Sequence, residues 1–485
     1  MLGPPKSRDL RRSVVVSLDA LVPRDHFYRH LERTLDLAFV RDLVADCYAG
    51  GGRPSIDPVV FFKLHLIMFF EGLRSERHLL ESANLNLAHR WYLGYHLDEP
   101  LPDHSSLSKI RTRLGLPVFR RFFEAVVDQC ADAGLVWGAE LLFDATKVRA
   151  NASMDTIVPV LHLVDDHLAA LEPPPEPAAP PTLAEANAAR WELLEECRLD
   201  PERPSTSYYE RKSDGRISTT DPDASLMKPH GERARLGYHD HYVVDGGKAR
   251  IILHTLVTPA AVMENQPMLD LLRRVLFRRR LRPHTVIADT TYGTTENIRA
   301  VEEMGIRAYV PLPDWEHQRD FFGPSQFTYD AAQDVYVCPQ GELLRPSRRE
   351  WKAEKTEYRA DAAICNACPV KAACTASTQG RQVHRSFHAD HLDRVRGYHE
   401  TEDYKKAMRK RKVWVEPLFG EAKQWHGLRQ FRLRGLMKVN MEGVFVAAGQ
   451  NVKRLVQAHG WGRRPWPGGA AGGAVSVASF ALVRG

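Results

Sequence analysis

Two short apolar runs, each stopping on an aspartate, set the tightest limit on what this chain can fold into. Leu141, Leu142 and Phe143 run into Asp144, and 145 residues later Val286, Ile287 and Ala288 run into Asp289. Short apolar runs bounded by polar residues read as buried strands. A carboxylate at the end of such a strand is costly unless something binds it, although many simply cap the next turn. Between the two runs lie LGYHDHYVVDGG and ARIILHTLVT, with Gly246 and Gly247 suited to a hairpin turn. A helix follows over about Gln266 to Phe277. After Asp289 come a turn at Gly293, a helix through the TTENIRAVEEMG segment, and the strand GIRAYVPL. This order predicts an α/β fold, a mixed sheet with helices on its faces, across which the two aspartates can meet.

The first 130 or so residues read as helical. Asp57 and Pro58 open a run whose apolar positions, Val59, Phe62, Leu66, Phe69, Phe70 and Leu73, recur every three or four residues. Ser75 and Glu76 open another helix. Asp103 or Ser105 can cap a third, with Leu107, Ile110 and Leu114 on one face and Lys109, Arg111 and Arg113 crowded onto it. Short helices carrying basic residues are similar to a helix-turn-helix reader of DNA; a helical bundle with a solvated basic face reads the same way.

Composition excludes several classes. At 485 residues and 44% apolar, the chain is no disulfide scaffold, collagen or wholly disordered polymer. Its most apolar stretch, Pro58 to Leu73, is interrupted by Lys63, His65 and Glu71, so no bilayer-spanning run is present. The start, MLGPPKSRDLRRS, lacks the apolar core of a signal peptide, and seven cysteines are an odd number. A soluble intracellular protein is the expectation. The net charge of +6 is mild, but six arginines fall between Arg273 and Arg282, including Arg278, Arg279 and Arg280. Six of the eight residues from Lys405 to Lys412 are also basic: Lys405, Lys406, Arg409, Lys410, Arg411 and Lys412. Such local density suits a phosphate-facing surface or a solvated helix.

Two segments interrupt the α/β pattern. LEPPPEPAAPPT, residues 171–182, holds six prolines and reads as an exposed linker. Further on, Cys338, Cys365, Cys368 and Cys374 cluster in CPQG and CNACPVKAAC. The two-residue spacing of Cys365 and Cys368 is that of a metal knuckle, and four thiolates would hold zinc. A metal-free loop and a redox pair stay open beside it. The Gly- and Pro-rich end after Trp461 reads as a flexible tail.

Two strand-end aspartates with a glutamate, Glu416, just beyond a basic run suit Mg²⁺, which takes hard oxygen ligands. Two such ions can activate a hydroxyl and steady a leaving oxygen in phosphodiester chemistry. Asp245 and Asp270 are rival acids; Asp245 precedes a glycine pair, which favours a turn role.

At these residues the sequence resembles the DDE transposases of bacterial insertion sequences, with an InsH-type N-terminal helical domain. The strings are DPVVFFKLHLIMFFEGLRSERHL, LPDHSSLSKIRTRLG, LFDATKVRANAS, KSDGRISTTDPDA, LGYHDHYVVD, VIADTTYGTTEN and VWVEPLFGEAKQWHGLRQFRLRG, in order over about residues 15 to 455. CPQG and CNACPVKAAC look like the insertion of one branch. The resemblance implies a ribonuclease H-like catalytic domain in which Asp144, Asp289 and Glu416 bind two Mg²⁺ ions, with Mn²⁺ as a substitute. It implies a metal-dependent enzyme that cuts double-stranded DNA at terminal inverted repeats and joins the 3′-hydroxyls to target DNA, acting as a dimer or higher assembly in the bacterial cytoplasm, on the nucleoid. Related groups carry a Tyr, Arg, Glu, Lys signature around the glutamate; here Arg409 and Lys412 stand in the first two places, and only Glu416 and Lys423 match. Lys147 and Asn297 are expected as supports near the DNA. The domains expected are a helical DNA-binding module over 1–135, a catalytic domain over 136–455 with insertions at about 160–230 and 311–400, and a tail over 456–485. A catalytically inactive DNA-binding protein, a nuclease without strand transfer, and a zinc-knuckle interaction protein are the alternatives.

Overall fold

The computed structural model describes residues 13–48, 51, 55–159, 216–228, 231, 233–313 and 321–462. The proline-rich stretch, most of the first insertion and most of the tail lie outside them.

Seven helices come first: α1 (Leu18–Leu21), α2 (Phe27–Thr34), α3 (Phe39–Val44), α4 (Pro58–Phe70), α5 (Glu76–Leu85), α6 (Leu87–Leu93) and α7 (His104–Asp132). The expected caps form. Asp57 accepts from the Val59 N–H with Pro58 in the first turn, Ser75 accepts from His78, and Asp103 from Ser105. Helix α4 buries nine residues distributed around its axis, including Phe61, Phe62, His65 and Phe69, as a helix does when it lies inside the core rather than on it. The basic helix is the first half of α7, which bends at Gly115 (φ 66°) two residues before Pro117.

The central sheet contains β1 (Glu140–Arg149), β4 (Ser225–Met227), β5 (Arg235–Asp245), β6 (Ile252–Pro259), β7 (Thr285–Ile287) and β8 (Arg307–Tyr309); a separate pair, β2 (Ile157–Pro159) with β3 (Arg216–Ser218), lies outside it. Strands β4 and β6 share the outer edge of β5, and the order continues β5-β1-β7-β8. The first three long strands are antiparallel, and β7 and β8 join parallel to β1. Strand β1 does not end on Asp144, as the apolar run suggests. It continues to Arg149, paired with β5 throughout, so Asp144 stands in mid-strand opposite Tyr242.

Helices α8 (Met268–Arg279) and α9 (Thr295–Glu303) flank the sheet. A second, five-stranded sheet follows: β9 (Thr328–Asp330), β10 (Val335–Val337), β11 (Leu343–Glu350), β12 (Lys355–Arg359) and β13 (Gln382–Ser386), with α10 (Ala362–Ala367) and α11 (Lys371–Cys374) between its last two strands. It has its own small core of Phe327, Tyr336, Leu344, Tyr358, Ala360 and Val383. The chain closes with α12 (Ala389–His399), α13 (Glu402–Trp414), α14 (Glu416–Trp425) and α15 (Leu436–Ala458).

Helix α15 joins the parts. Phe445 stacks near Phe122 of α7, with ring centroids 5.7 Å apart, and Phe122 stacks on Phe62 of α4 at 4.2 Å. Its other side meets β6 through Asn440 and Asn451. One continuous hydrophobic cluster therefore runs from Val22 to Val456. The expected 1–135 module ends close to the end of α7, yet it shares its core with the sheet.

Candidate active site

The pairing of β1 with β7 places the two aspartates. The register is Glu140 to Thr285, Leu141 to Val286 and Leu142 to Ile287, a constant offset of 145 that equals the spacing of Asp144 and Asp289. Asp144 and Asp289 each lie two residues past the last pair, Asp144 still within β1 and Asp289 beyond the end of β7, near enough for the Asp289 charge to act on Asp144. Asp289 accepts from the Thr291 N–H at 2.9 Å, capping the short turn that carries it.

Asp144 is only 8% exposed. Burial pushes its carboxyl up to about 7, opposed by Arg411 and the Ala145 N–H and reinforced by the negative charges of Asp289 and Glu264. Arg411 Nη1 donates to Asp144 Oδ2 at 3.1 Å, and Nη2 lies 3.7 Å from Glu416 Oε1. One guanidinium from the end of α13 thus links the strand carboxylate to the helix carboxylate. Glu416 can be there because α13 breaks at Val415 and Pro417 restarts the helix, leaving Glu416 as the exposed first residue of α14. Lys423, two turns along α14, donates to Thr146 Oγ1 at 2.6 Å, on the strand face that also bears Asp144.

Glu264, in the loop after β6, is a residue the sequence reading did not single out. Its carboxyl is raised by burial and by Asp289, and lowered by Lys147. It lies 3.7 Å from His239 Nε2, a nitrogen buried without a hydrogen-bond partner. Nothing in MENQP marks Glu264 beforehand, because only the folded loop brings it to the site. Asn297, expected near DNA, explains the loop's position instead. It is 5% exposed and donates to the Asn265 and Tyr292 carbonyls, tying the loop to the turn after Asp289.

Several residues expected to contact DNA are ion-paired within the chain. Arg111 is buried and ion-paired with Glu76, which Arg432 also engages at 2.7 Å. Arg278 reaches Glu124 at 2.7 Å and Arg279 binds Asp128, both acids on α7. Lys410 pairs with Glu140. Each places an arginine or lysine opposite an acid from a distant part of the chain, which linear charge density cannot reveal. Lys109, Arg113, Lys147, Arg280, Lys406, Arg409 and Lys412 are exposed; Lys405 is exposed too, beside Glu402 at 3.1 Å. Asp245 has the turn role expected: its carboxylate accepts from the Trp137, Gly138 and Gly247 N–H groups. Asp270 is in the first turn of α8.

Among the described residues no three His, Cys, Asp or Glu side chains are drawn together tightly enough to hold a metal ion. Asp144, Asp289 and Glu416 offer hard carboxylate oxygens of the kind Mg²⁺ takes, with Arg411 bridging Asp144 and Glu416 in this structure. Cys338, Cys365, Cys368 and Cys374 line one pocket in the second sheet. No helix among the described residues is long and apolar enough to cross a membrane.

The strand order, antiparallel β6-β5-β1 followed by parallel β7 and β8, is that of a ribonuclease H-like fold. Residues 16–113 match the family described as a transposase domain (DUF772), and residues 337–456 match the transposase DDE domain family. These two segments are similar to transposase families, the first within the N-terminal helical part of the chain. No curated protein matches the chain. The second match includes Glu416 and the four clustered cysteines; Asp144 and Asp289 precede it.

Proposed function

We propose that this protein cuts DNA at the terminal inverted repeats of a mobile element and joins the exposed 3′-hydroxyls to target DNA. The observation that carries the reading is the β1–β7 register, which brings together the segments bearing Asp144 and Asp289, with Glu416 linked to Asp144 through Arg411. Asp144, Asp289 and Glu416 would hold two Mg²⁺ ions, or Mn²⁺ in their place. When bound, the ions supply Lewis-acid activation of the attacking hydroxyl and stabilisation of the leaving oxygen. The chain's own residues set the rest. The β1–β7 pairing brings together the segments bearing the two aspartates, Arg411 ion-pairs with Asp144 and Glu416, and Lys423 braces α14 against β1 through Thr146. Exposed Lys406, Arg409 and Lys412 on α13 offer positive charge to phosphates beside Glu416. Joining two ends calls for a homodimer or larger assembly on DNA, in the bacterial cytoplasm.

The test is joining of a pre-cut terminal-repeat duplex to plasmid DNA by the full chain in Mg²⁺ or Mn²⁺. Asp144→Asn, Asp289→Asn and Glu416→Gln should each lower the rate by about a thousandfold or more, the equivalent of roughly 4 kcal/mol, while leaving DNA binding in place. Full activity in the aspartate variants overturns the reading. Binding without cleavage in the wild type identifies an inactive DNA-binding protein, and cleavage without joining identifies a nuclease.

A further inference from the structure

The segment between β12 and β13 is ordered without a core of its own. From Asp361 to Gln379 not one residue is buried, and Ile364 is 45% exposed. Yet the segment forms α10, of six residues, and α11, of four. Helices this short do not persist alone in water, and a sheet with six buried core residues is the size at which folds depend on cross-links or metals. The segment is held by polar contacts and by the rim of that core: Asp361 caps α10, Arg381 donates to the Cys374 and Phe322 carbonyls, Asn366 donates to the Thr378 carbonyl, and Cys365 and Cys374 pack against the six core residues.

The thiols are placed where a staple would act. Cys338 is on the β10–β11 turn, Cys365 lies within α10 and Cys368 caps its end, Cys374 ends α11, and all four line one pocket. At the turn, Gly341 takes φ +85° and donates to the Cys338 carbonyl, while the Gln340 N–H points at Cys338 Sγ at 3.3 Å.

We propose that Cys338, Cys365, Cys368 and Cys374 form a structural zinc site that fastens the α10–α11 segment to the β10–β11 turn. Tetrahedral binding draws the four sulfurs in to about 2.3 Å from one ion, a contraction of the pocket relative to the present arrangement. The site is separate from the carboxylates and stands or falls without the transposition reading.

The experiment is elemental analysis of the full chain purified under reducing conditions without added metal, followed by Co²⁺ replacement. The expected result is about one zinc per chain and, with Co²⁺, the thiolate-to-metal charge-transfer absorption of a four-sulfur site. Cys365→Ser with Cys368→Ser should abolish both and speed tryptic cutting at Lys371 and Arg381 at least about tenfold, as local opening becomes easier. Cys47→Ser with Cys130→Ser, and Asp144→Asn with Asp289→Asn, should retain the zinc. Because the cysteine variants can fail to fold, wild-type protein also decides the matter. Four freely titrating thiols with no charge-transfer band after Co²⁺ addition, or a Cys365–Cys368 disulfide in the mass spectrum, overturns the proposal.

Discussion

Asp144 and Asp240 are both buried in the central strands, and both carboxyls are pushed up to about 7 by loss of water. Their partners differ. Asp144 has Arg411; Asp240 accepts from Thr255 Oγ1 at 3.0 Å, leaves Oδ2 without a partner, and has Lys423 as the positive charge facing it. A carboxyl held above its unfolded value of 3.8 favours folding when protonated. That contribution is complete below about 4 and is lost as the pH rises through 7. Asp240→Asn should therefore raise the melting temperature by several degrees at pH 8 and leave it unchanged near pH 4, with a difference of up to roughly 4 kcal/mol at the alkaline end. Equal melting temperatures at pH 8 would show that Asp240 is ionised at little cost. At this scale the sequence marks Asp144, Asp289 and Glu416 by local signals, the ends of two apolar runs and the place after a basic run, although β1 continues past Asp144. It is silent on Arg411 as the link between Asp144 and Glu416 and on Glu264, because Asp144 is 267 residues from Arg411 and the loop that carries Glu264 is placed only by the fold.

Helix α15 closes the open edge of the sheet with two side chains. Asn440 accepts from the Val257 N–H and donates to its carbonyl, both at 2.8 Å, and Asn451 does the same for Ile252 at 2.9 and 2.8 Å. The lengths match. Eleven helical residues rise about 16.5 Å, and five strand residues advance about 16.5 Å, so each amide meets a backbone pair on β6. Gly443 lets the two elements approach: a Cβ there would lie 2.7 Å from Val257 Cγ2. Asn440→Ala or Asn451→Ala should each cost roughly 2–5 kcal/mol, because two buried backbone groups lose their partners. Urea unfolding measures this, and a loss under 1 kcal/mol would mean water replaces the amide. The succession of strands along the chain was legible from the apolar runs. The extension of β1 past Asp144 was not, since ATKVR has no apolar continuity and is held by pairing with β5.

Across the whole molecule, charge sorts into two kinds that the sequence cannot separate. Three of the six arginines from Arg273 to Arg282, namely Arg274, Arg278 and Arg279, pair with acids of α7, whereas Lys406, Arg409 and Lys412 are exposed beside Glu416. If DNA lies along α13, replacing these three with alanine should weaken binding at all sequences and lower the salt slope by about 2.7, at 0.9 per phosphate contact. Arg278→Ala, which removes a partner of Glu124, should leave that slope unchanged. An unaltered slope in the triple variant places the DNA elsewhere. The helical N-terminal part was readable from its caps and periodicity, but its union with the sheet was not, because the joining surface belongs to α15, more than 300 residues further on. That union also governs the timing of synthesis. A nascent chain carrying α4, α7 and the sheet still lacks the helix that covers them until residue 458 has been made. At 5–20 residues per second, the ribosome takes roughly 15 to 65 s to add the residues between the end of α7 and the end of α15. Throughout that interval the growing chain exposes apolar surface to chaperones and proteases, and any product terminated before α15 keeps that surface exposed.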